Sequence, residues 1–267
     1  MTRLAKGTFH TLNMPNRRVD FWVPDESKSP YPVLVMHDGQ NLFSPDHSFG
    51  GKSWRIAEAL SDLPEFTGNL PVVIGPWNSG RMRAAEYAPQ DILEKTGDPY
   101  EFVGVQEEKP LLGNAYQAEL INDIIPAIGN VVTLRKDKSS IAICGSSMGG
   151  LASLYGISKY PDIYGTAISL STHFPMSTLK VVEEFIKSLP ASESGHQLWL
   201  DHGTAELDAT YAAHHDHAIS VLHQLGWTSP RLQSHIYPGT GHNEEAWANR
   251  IKSIMQWWLN SIPKARS

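Results

Sequence analysis

The sequence feature that most constrains the fold lies between residues 139 and 152. The apolar run Ile141 to Cys144 predicts a buried strand, and the residues after the turn predict a helix packed back on the sheet. The turn between them fits G-x-S-x-G, with Ser147 at its centre. Gly145 and Gly149 lack the Cβ that would clash where strand and helix cross. This context favours a nucleophile elbow, which lifts a serine hydroxyl clear of the sheet, over a plain strand-to-helix connection rich in small residues.

Strand and helix patterns alternate along the rest of the chain, after an edge hairpin predicted over residues 8–24. The alternation predicts an α/β fold, with one doubly wound, mostly parallel sheet covered by helices on both faces, in a single domain spanning 1–267. Residues 90–114 have no convincing periodicity, and we expect a lid or substrate-binding loop there. In such sheets the site lies at the carboxyl ends of the strands.

Composition excludes several classes of function. The chain has 267 residues and a net charge of −6, which argues against nucleic acid or an anionic membrane as the main partner. No apolar run approaches membrane-spanning length, and the first residues lack a secretory signal, so we expect a cytoplasmic protein with no membrane insertion. The single cysteine, Cys144, cannot form an internal disulfide. The sequence is compatible with a homo-oligomer.

A serine nucleophile needs a base and an orienting carboxylate, which follow in the order Ser, acid, His in this type of sheet. His242 comes after the last predicted strand and a glycine turn, Gly239-Thr240-Gly241, so we predict that it is the base. Glu206 and Asp208 both follow the strand end near Leu200. We prefer Glu206, three residues after a glycine, and expect Asp208 to cap the next helix.

The chain resembles the putative-esterase family of α/β-hydrolases, which includes feruloyl esterases, enterochelin-type siderophore esterases, S-formylglutathione hydrolases and antigen-85 mycolyltransferases. The resemblance runs from about Pro32 to Leu259. It rests on the following segments: 37–43 (HDGQNLF), Arg83 with 86–89 (EYAP), 145–150 (GSSMGG), 203–204 (GT) and 241–242 (GH). It implies an α/β-hydrolase fold and hydrolysis of a small-molecule ester without a cofactor. Within the family, the Leu207-Asp208 pair makes Asp208 a rival for the acid.

The resemblance also implies an oxyanion hole. The residue after the nucleophile, Met148, supplies one backbone N–H. By similarity to the mycolyltransferases, the N–H of Gln40, which follows Asp-Gly, supplies the second. The alternative is that residues 37–43 form a tight turn with no role beyond shape.

Side chains just past the strand ends are candidates for the substrate pocket. Trp77, His173 and Phe174 are predicted to line it, with core packing as the alternative for each. Arg83, with Arg81 nearby, is predicted to clamp a substrate carboxylate or phosphate, and pairing with Glu86 or other structural acids is the competing interpretation.

Three histidines on one predicted helix suggest a metal site, but their spacing does not support it. His215 belongs to the apolar stripe, whereas His214 and His217 lie three residues apart on the polar side. No cysteine and no partner at i+4 completes a site, so we predict no metal.

The sequence therefore predicts a serine carboxylesterase. An acyltransferase with the same triad would pass the acyl group to an alcohol instead of water. A binding protein without catalysis on the same scaffold is the alternative from another class of function.

Overall fold

The computed structural model describes residues 2–25, 27–97 and 110–263. Within them lies one nine-stranded sheet. Its strands are β1 (Thr2–Leu4), β2 (Gly7–Asn13), β3 (Arg18–Pro24), β4 (Val33–Met36), β5 (Val72–Pro76), β6 (Ile141–Ser146), β7 (Thr166–Leu170), β8 (Gln197–Gly203) and β9 (Leu232–Tyr237). They are ordered β1-β2-β3-β5-β4-β6-β7-β8-β9.

The sheet is antiparallel at one edge and parallel elsewhere. β1, β2, β3 and β5 pair antiparallel, and every pairing from β5 through β9 is parallel. β2 and β3 form the expected hairpin, in which Phe9 lies opposite Trp22. The prediction of a mostly parallel, doubly wound sheet is confirmed.

Nine α-helices lie in the described ranges. They are α1 (Ile56–Ser61), α2 (Arg83–Tyr87), α3 (Gln90–Thr96), α4 (Gly113–Glu119), α5 (Ile125–Gly129), α6 (Met148–Lys159), α7 (Leu179–Lys187), α8 (Ala212–Gln224) and α9 (Glu244–Ser261), with a π-helical turn over Leu120–Ile124 that joins α4 to α5. None of these helices combines the length and the apolar character that a membrane crossing requires.

The core has two layers because strand side chains alternate between the faces of the sheet. In β4, Val33 and Val35 belong to the layer that contains the buried residues of α6 and α7, whereas Leu34 and Met36 belong to the layer that contains those of α1 and α9. The buried positions of α9 recur at helical spacing, at Trp247, Ile251, Ile254, Met255 and Trp258. Each large apolar side chain buried in this way contributes roughly 1.5–3 kcal/mol to folding. The helix α9 is thereby fixed against the sheet, and its N-terminus lies beside the strand ends.

The prediction of a loop over 90–114 is wrong for its two ends. Residues Gln90–Thr96 form α3, and α4 begins at Gly113. The short helix α3 buries only Ile92 and Leu93, too few positions to give a periodic signal in the sequence. The rest of that segment, 98–109, lies outside the described residues.

Candidate active site

Ser147 occupies the sharp turn between β6 and α6. Its backbone has φ 58° and ψ −122°, a conformation that costs energy for any residue other than glycine. The Ser147 N–H donates to the carbonyl oxygen of Leu170 at 2.9 Å, which ties the turn to β7. A Cβ at Gly145 would lie 2.6 Å from the carbonyl oxygen of Gly149, so only glycine allows this close approach. The geometry is that of the predicted elbow.

His242 lies on the turn that follows β9. Its Nδ1 is 2.6 Å from Oδ1 of Asp208, and with the carboxyl group ionised Nδ1–H is the donor. This bond leaves Nε2 as the free nitrogen of the neutral ring. An imidazole oriented in this way can accept a proton from a hydroxyl group at Nε2.

Asp208 is buried and fully hydrogen-bonded. Its Oδ2 accepts from the Ser171 hydroxyl at 2.6 Å and from the Gly203 N–H at 2.6 Å. Burial alone would raise its pKa, but the bonds from His242, Ser171 and Gly203 hold the pKa below its ordinary value. Asp208 is therefore a carboxylate held ionised beside the imidazole.

The preference for Glu206 as the partner of the His242 ring is wrong. Glu206 adopts a left-handed backbone with φ 54°, and its Oε2 accepts from the backbone N–H of His242 at 2.9 Å. The same oxygen accepts from Nδ2 of Asn243 at 3.1 Å. Glu206 thus stabilises the turn that carries His242, while Asp208 contacts the ring. Asp208 does not cap α8, which begins at Ala212 without a side-chain cap.

A second layer of buried polar groups lies behind Asp208. The Ser171 hydroxyl accepts from Trp247 Nε1 and from Arg250 Nη2, each at 3.0 Å. Arg250 Nη2 also donates to Oδ1 of Asp201 at 2.7 Å. Burial raises the pKa of Asp201 in spite of this guanidinium. Sequence reasoning missed this layer because its members come from β8, from α9 and from the residue that follows β7.

Ser147 and His242 open into one cavity of about 320 Å³. Its remaining lining residues are Asp38, Gln40, Asn41, Phe49, Asn78, Arg83, Ser146, Glu244 and Trp247. Of the predicted pocket residues, Arg83 belongs to this wall, and Trp77, His173 and Phe174 do not; the predicted oxyanion residue Gln40 also lines it.

The two predicted oxyanion donors lie next to the elbow and to the cavity. Met148 is the first residue of α6, where a backbone N–H has no intrahelical acceptor. Gln40 lies in the short 3-10 helix Gly39–Asn41, which is packed so tightly that a Cβ at Gly39 would lie 2.0 Å from the Gly75 carbonyl oxygen. Their use as donors to an oxyanion remains a prediction.

Arg83 forms a two-bond ion pair with Asp38 instead of pairing with Glu86. Its Nε and Nη2 each donate to one Asp38 oxygen at 2.7 Å, and the guanidinium holds the pKa of Asp38 below its usual value against the effect of burial. Glu86 pairs with Arg17, whose Nη2 is 2.9 Å from Oε1. The charge of Arg83 is thus already balanced by Asp38.

The other three predicted pocket residues have structural contacts. Trp77 Nε1 donates to Asp20 at 2.8 Å, and Phe174 is 1% exposed and packs in the core, so the prediction that they line the pocket is wrong. The ring of His173 contacts Tyr211 through Nδ1, and the backbone N–H of His173 donates to the Ser147 carbonyl oxygen at 3.1 Å. Burial lowers the pKa of His173 to about 4, so this ring is neutral.

The three helical histidines are spread over separate contacts. His215 is buried, and its Nε2 is 2.9 Å from the Ser234 hydroxyl. His214 donates to the Ser177 carbonyl oxygen, and His217 faces Glu183 at 3.9 Å. Across the described ranges, no group of three or more His, Cys, Asp and Glu side chains is arranged to hold a metal ion.

Comparison with known proteins identifies one family. A family model described as putative esterase matches residues 13–257. An uncharacterised protein of Bacillus subtilis, YbbA, is 23% identical over 270 residues, which cover 94% of this chain and 96% of the relative.

Solved structures of two esterases share the fold. The enterochelin esterase of Shigella flexneri superposes with a TM-score of 0.66 at 15% identity, and the match covers 96% of this chain. The chain spans only 57% of the length of that esterase. The ferulic acid esterase of Anaeromyces mucronatus superposes with a TM-score of 0.62 at 17% identity over 97% of this chain and 93% of its own. The predicted α/β-hydrolase fold is confirmed.

Proposed function

The chain belongs to the putative-esterase family, and on that premise we propose that it is a serine esterase that hydrolyses carboxylic esters through an acyl-enzyme on Ser147. The observation that carries the proposal is the bond of 2.6 Å between His242 Nδ1 and Asp208, in a cavity that His242 shares with Ser147. A nucleophile, a base and an orienting carboxylate are the groups that acyl transfer requires.

In the proposed first step, the Ser147 hydroxyl oxygen attacks the carbonyl carbon of the ester while its proton moves to His242 Nε2. Asp208 holds Nδ1–H and stabilises the imidazolium that forms. The N–H groups of Met148 and Gln40 are the proposed donors to the oxyanion. Each such donor is worth on the order of 3 kcal/mol in the transition state.

In the remaining steps, His242 returns the proton to the leaving alcohol as the carbon–oxygen bond breaks. Water then attacks the acyl-enzyme with His242 as base, and the products are a carboxylic acid and regenerated Ser147. The ionised state of Asp208 supports this cycle, because a neutral acid would stabilise the imidazolium less.

Hydrolysis of p-nitrophenyl acetate by the purified chain tests the proposal. We expect turnover in the wild type and a loss of at least about 10³-fold in kcat for Ser147→Ala, with residual catalysis from the oxyanion donors. Ser146→Ala is the matched control, because Ser146 borders the same cavity and ends β6. A wild type without turnover, or a Ser147→Ala variant as active as the control, would contradict the proposal.

A further inference from the structure

The carboxyl group of Glu244 lies on the wall of the candidate active site and forms no ion pair with any residue that the structure describes. Glu244 is 7% exposed, and its Oε1 accepts from Nδ2 of Asn41 at 3.1 Å. In the described part of the chain, no other residue donates to Oε2, and no Lys, Arg or His forms an ion pair with Glu244. Burying an ionised carboxylate without a cation is costly, so such a group calls for a partner.

The charges on the cavity wall do not cancel. Asp38 and Arg83 neutralise each other through their two hydrogen bonds of 2.7 Å. With both carboxylates ionised, the Asp, Glu, Lys and Arg side chains of the lining carry −1 for Asp38, +1 for Arg83 and −1 for Glu244, a sum of −1. Burial raises the pKa of Glu244, and the charge of Asp38 adds to the rise, whereas the charge of Arg83 opposes it. A positively charged group in the cavity would remove this imbalance.

Two aromatic residues line the same cavity as Glu244. Phe49 is 79% exposed at the cavity, and its backbone N–H donates to Oδ1 of Asn41 at 3.0 Å. The Asn41 side chain thus links Phe49 to Glu244. Trp247 also lines the cavity. A cavity lined by a carboxylate and by aromatic rings is suited to an alkylammonium group, which gains both charge pairing and cation–π attraction.

We propose that Glu244 binds an alkylammonium group in the alcohol portion of the ester that this protein hydrolyses. This proposal rests on the proposed esterase function, because the role of His242 in that function decides which end of the substrate is the alcohol. The leaving oxygen must lie at His242 to receive its proton, and Glu244 follows His242 by two residues at the start of α9. Because His242 and Glu244 also line one cavity, we assign the alcohol, and not the acyl group, to the side of Glu244.

Matched acetate esters test this assignment. Acetylcholine carries the cation, 3,3-dimethylbutyl acetate is its neutral isostere, and the acetate ester of 3-hydroxypropanoate carries a carboxylate. With acetate release followed in a pH-stat, we expect kcat/KM for acetylcholine to exceed that for the neutral isostere about tenfold or more, and the anionic ester to be the poorest substrate. Glu244→Gln should bring the ratio of the first two near one.

Glu245→Gln is the matched control, because Glu245 is the next residue and its carboxylate pairs with Lys52 at the exposed surface. This variant should keep the wild-type preference for the cation. Equal or faster hydrolysis of the neutral ester by the wild type, or a preference that survives Glu244→Gln, would overturn the proposal.

Inhibition of the wild type gives a second readout that does not depend on a variant. Choline should inhibit hydrolysis of p-nitrophenyl acetate with an inhibition constant about tenfold below that of 3,3-dimethylbutan-1-ol. Equal constants would overturn the role of Glu244. Hydrolysis of p-nitrophenyl acetate reports the esterase activity itself. If the protein hydrolyses this ester but does not prefer cationic substrates or inhibitors, the role of Glu244 is wrong and the proposed function still stands.

Discussion

The carboxylate of Asp208 lies 2.6 Å from Nδ1 of His242, whereas the carboxylate of Glu206 lies 2.9 Å from the backbone N–H of the same residue. Two acidic residues that are two positions apart therefore hold different parts of one histidine. Asp208 sets the orientation and tautomer of the ring, and Glu206 stabilises the turn that carries it.

This division of roles predicts unequal effects of two amide substitutions. Asp208→Asn should lower kcat by roughly 10³- to 10⁴-fold, because an amide in place of the carboxylate favours the wrong tautomer of His242. Glu206→Gln should cost about tenfold or less, since the amide oxygen can still accept from the backbone N–H. Steady-state kinetics with p-nitrophenyl acetate measure both. A larger loss for Glu206→Gln than for Asp208→Asn would refute the assignment.

The buried ion pair behind Asp208 predicts an effect on stability. Arg250→Met should lower the free energy of unfolding by about 3–5 kcal/mol, because the buried carboxyl group of Asp201 loses its guanidinium and must either stay charged in the core or take up a proton. Lys252→Met is the control, since Lys252 faces Asp62 at the exposed surface at 3.8 Å. Urea unfolding should show little change for the control. If Arg250→Met left the free energy of unfolding nearly unchanged, Asp201 would not need its partner.

The buried neutral histidines predict that the folded protein becomes less stable as the pH is lowered. Burial lowers the pKa of His215 to about 3, and its neighbour His202 adds to this effect. An unfolded histidine titrates near pH 6.5, so between about pH 6.5 and pH 3 the unfolded chain binds more protons than the folded one. The buried neutral histidine therefore contributes to the free energy of unfolding at neutral pH, and this contribution is lost as the pH falls through this range. His215 alone should contribute on the order of 3 kcal/mol of the loss at pH 4.

Urea unfolding at pH 7 and at pH 4 checks this prediction. His215→Gln should reduce the difference in the free energy of unfolding between the two pH values. His47→Gln should leave it unchanged, because His47 is exposed. The same difference for His215→Gln as for the wild type would show that His215 does not remain neutral in the folded protein.

The elbow and the position of His242 could be predicted because each depends on local sequence. The small residues of a strand-to-helix turn determine the conformation of Ser147, and a turn after the last strand carries His242. The acid could not be assigned in this way. Which of Glu206 and Asp208 faces the ring depends on the left-handed backbone of Glu206, which periodicity does not reveal.

The cavity wall depends on contacts between distant segments, and the sequence predicted less of it. The amide group of Asn41 contacts Glu244 across 203 positions of the chain. Phe174 follows a strand end, as a pocket residue would, yet its ring turns into the core. Burial of this kind depends on how α7 and α8 pack, and strand ends alone do not report it.

The central claim is that Ser147 forms the covalent bond to substrate, and labelling with a fluorophosphonate tests it most directly. The wild-type chain is treated with the reagent, digested and mapped by mass spectrometry beside Ser147→Ala and Ser146→Ala. We predict one adduct, on Ser147, in the wild type and in Ser146→Ala, and none in Ser147→Ala. An adduct on Ser146 or on another serine, or an active enzyme that remains unlabelled at Ser147, would contradict the account.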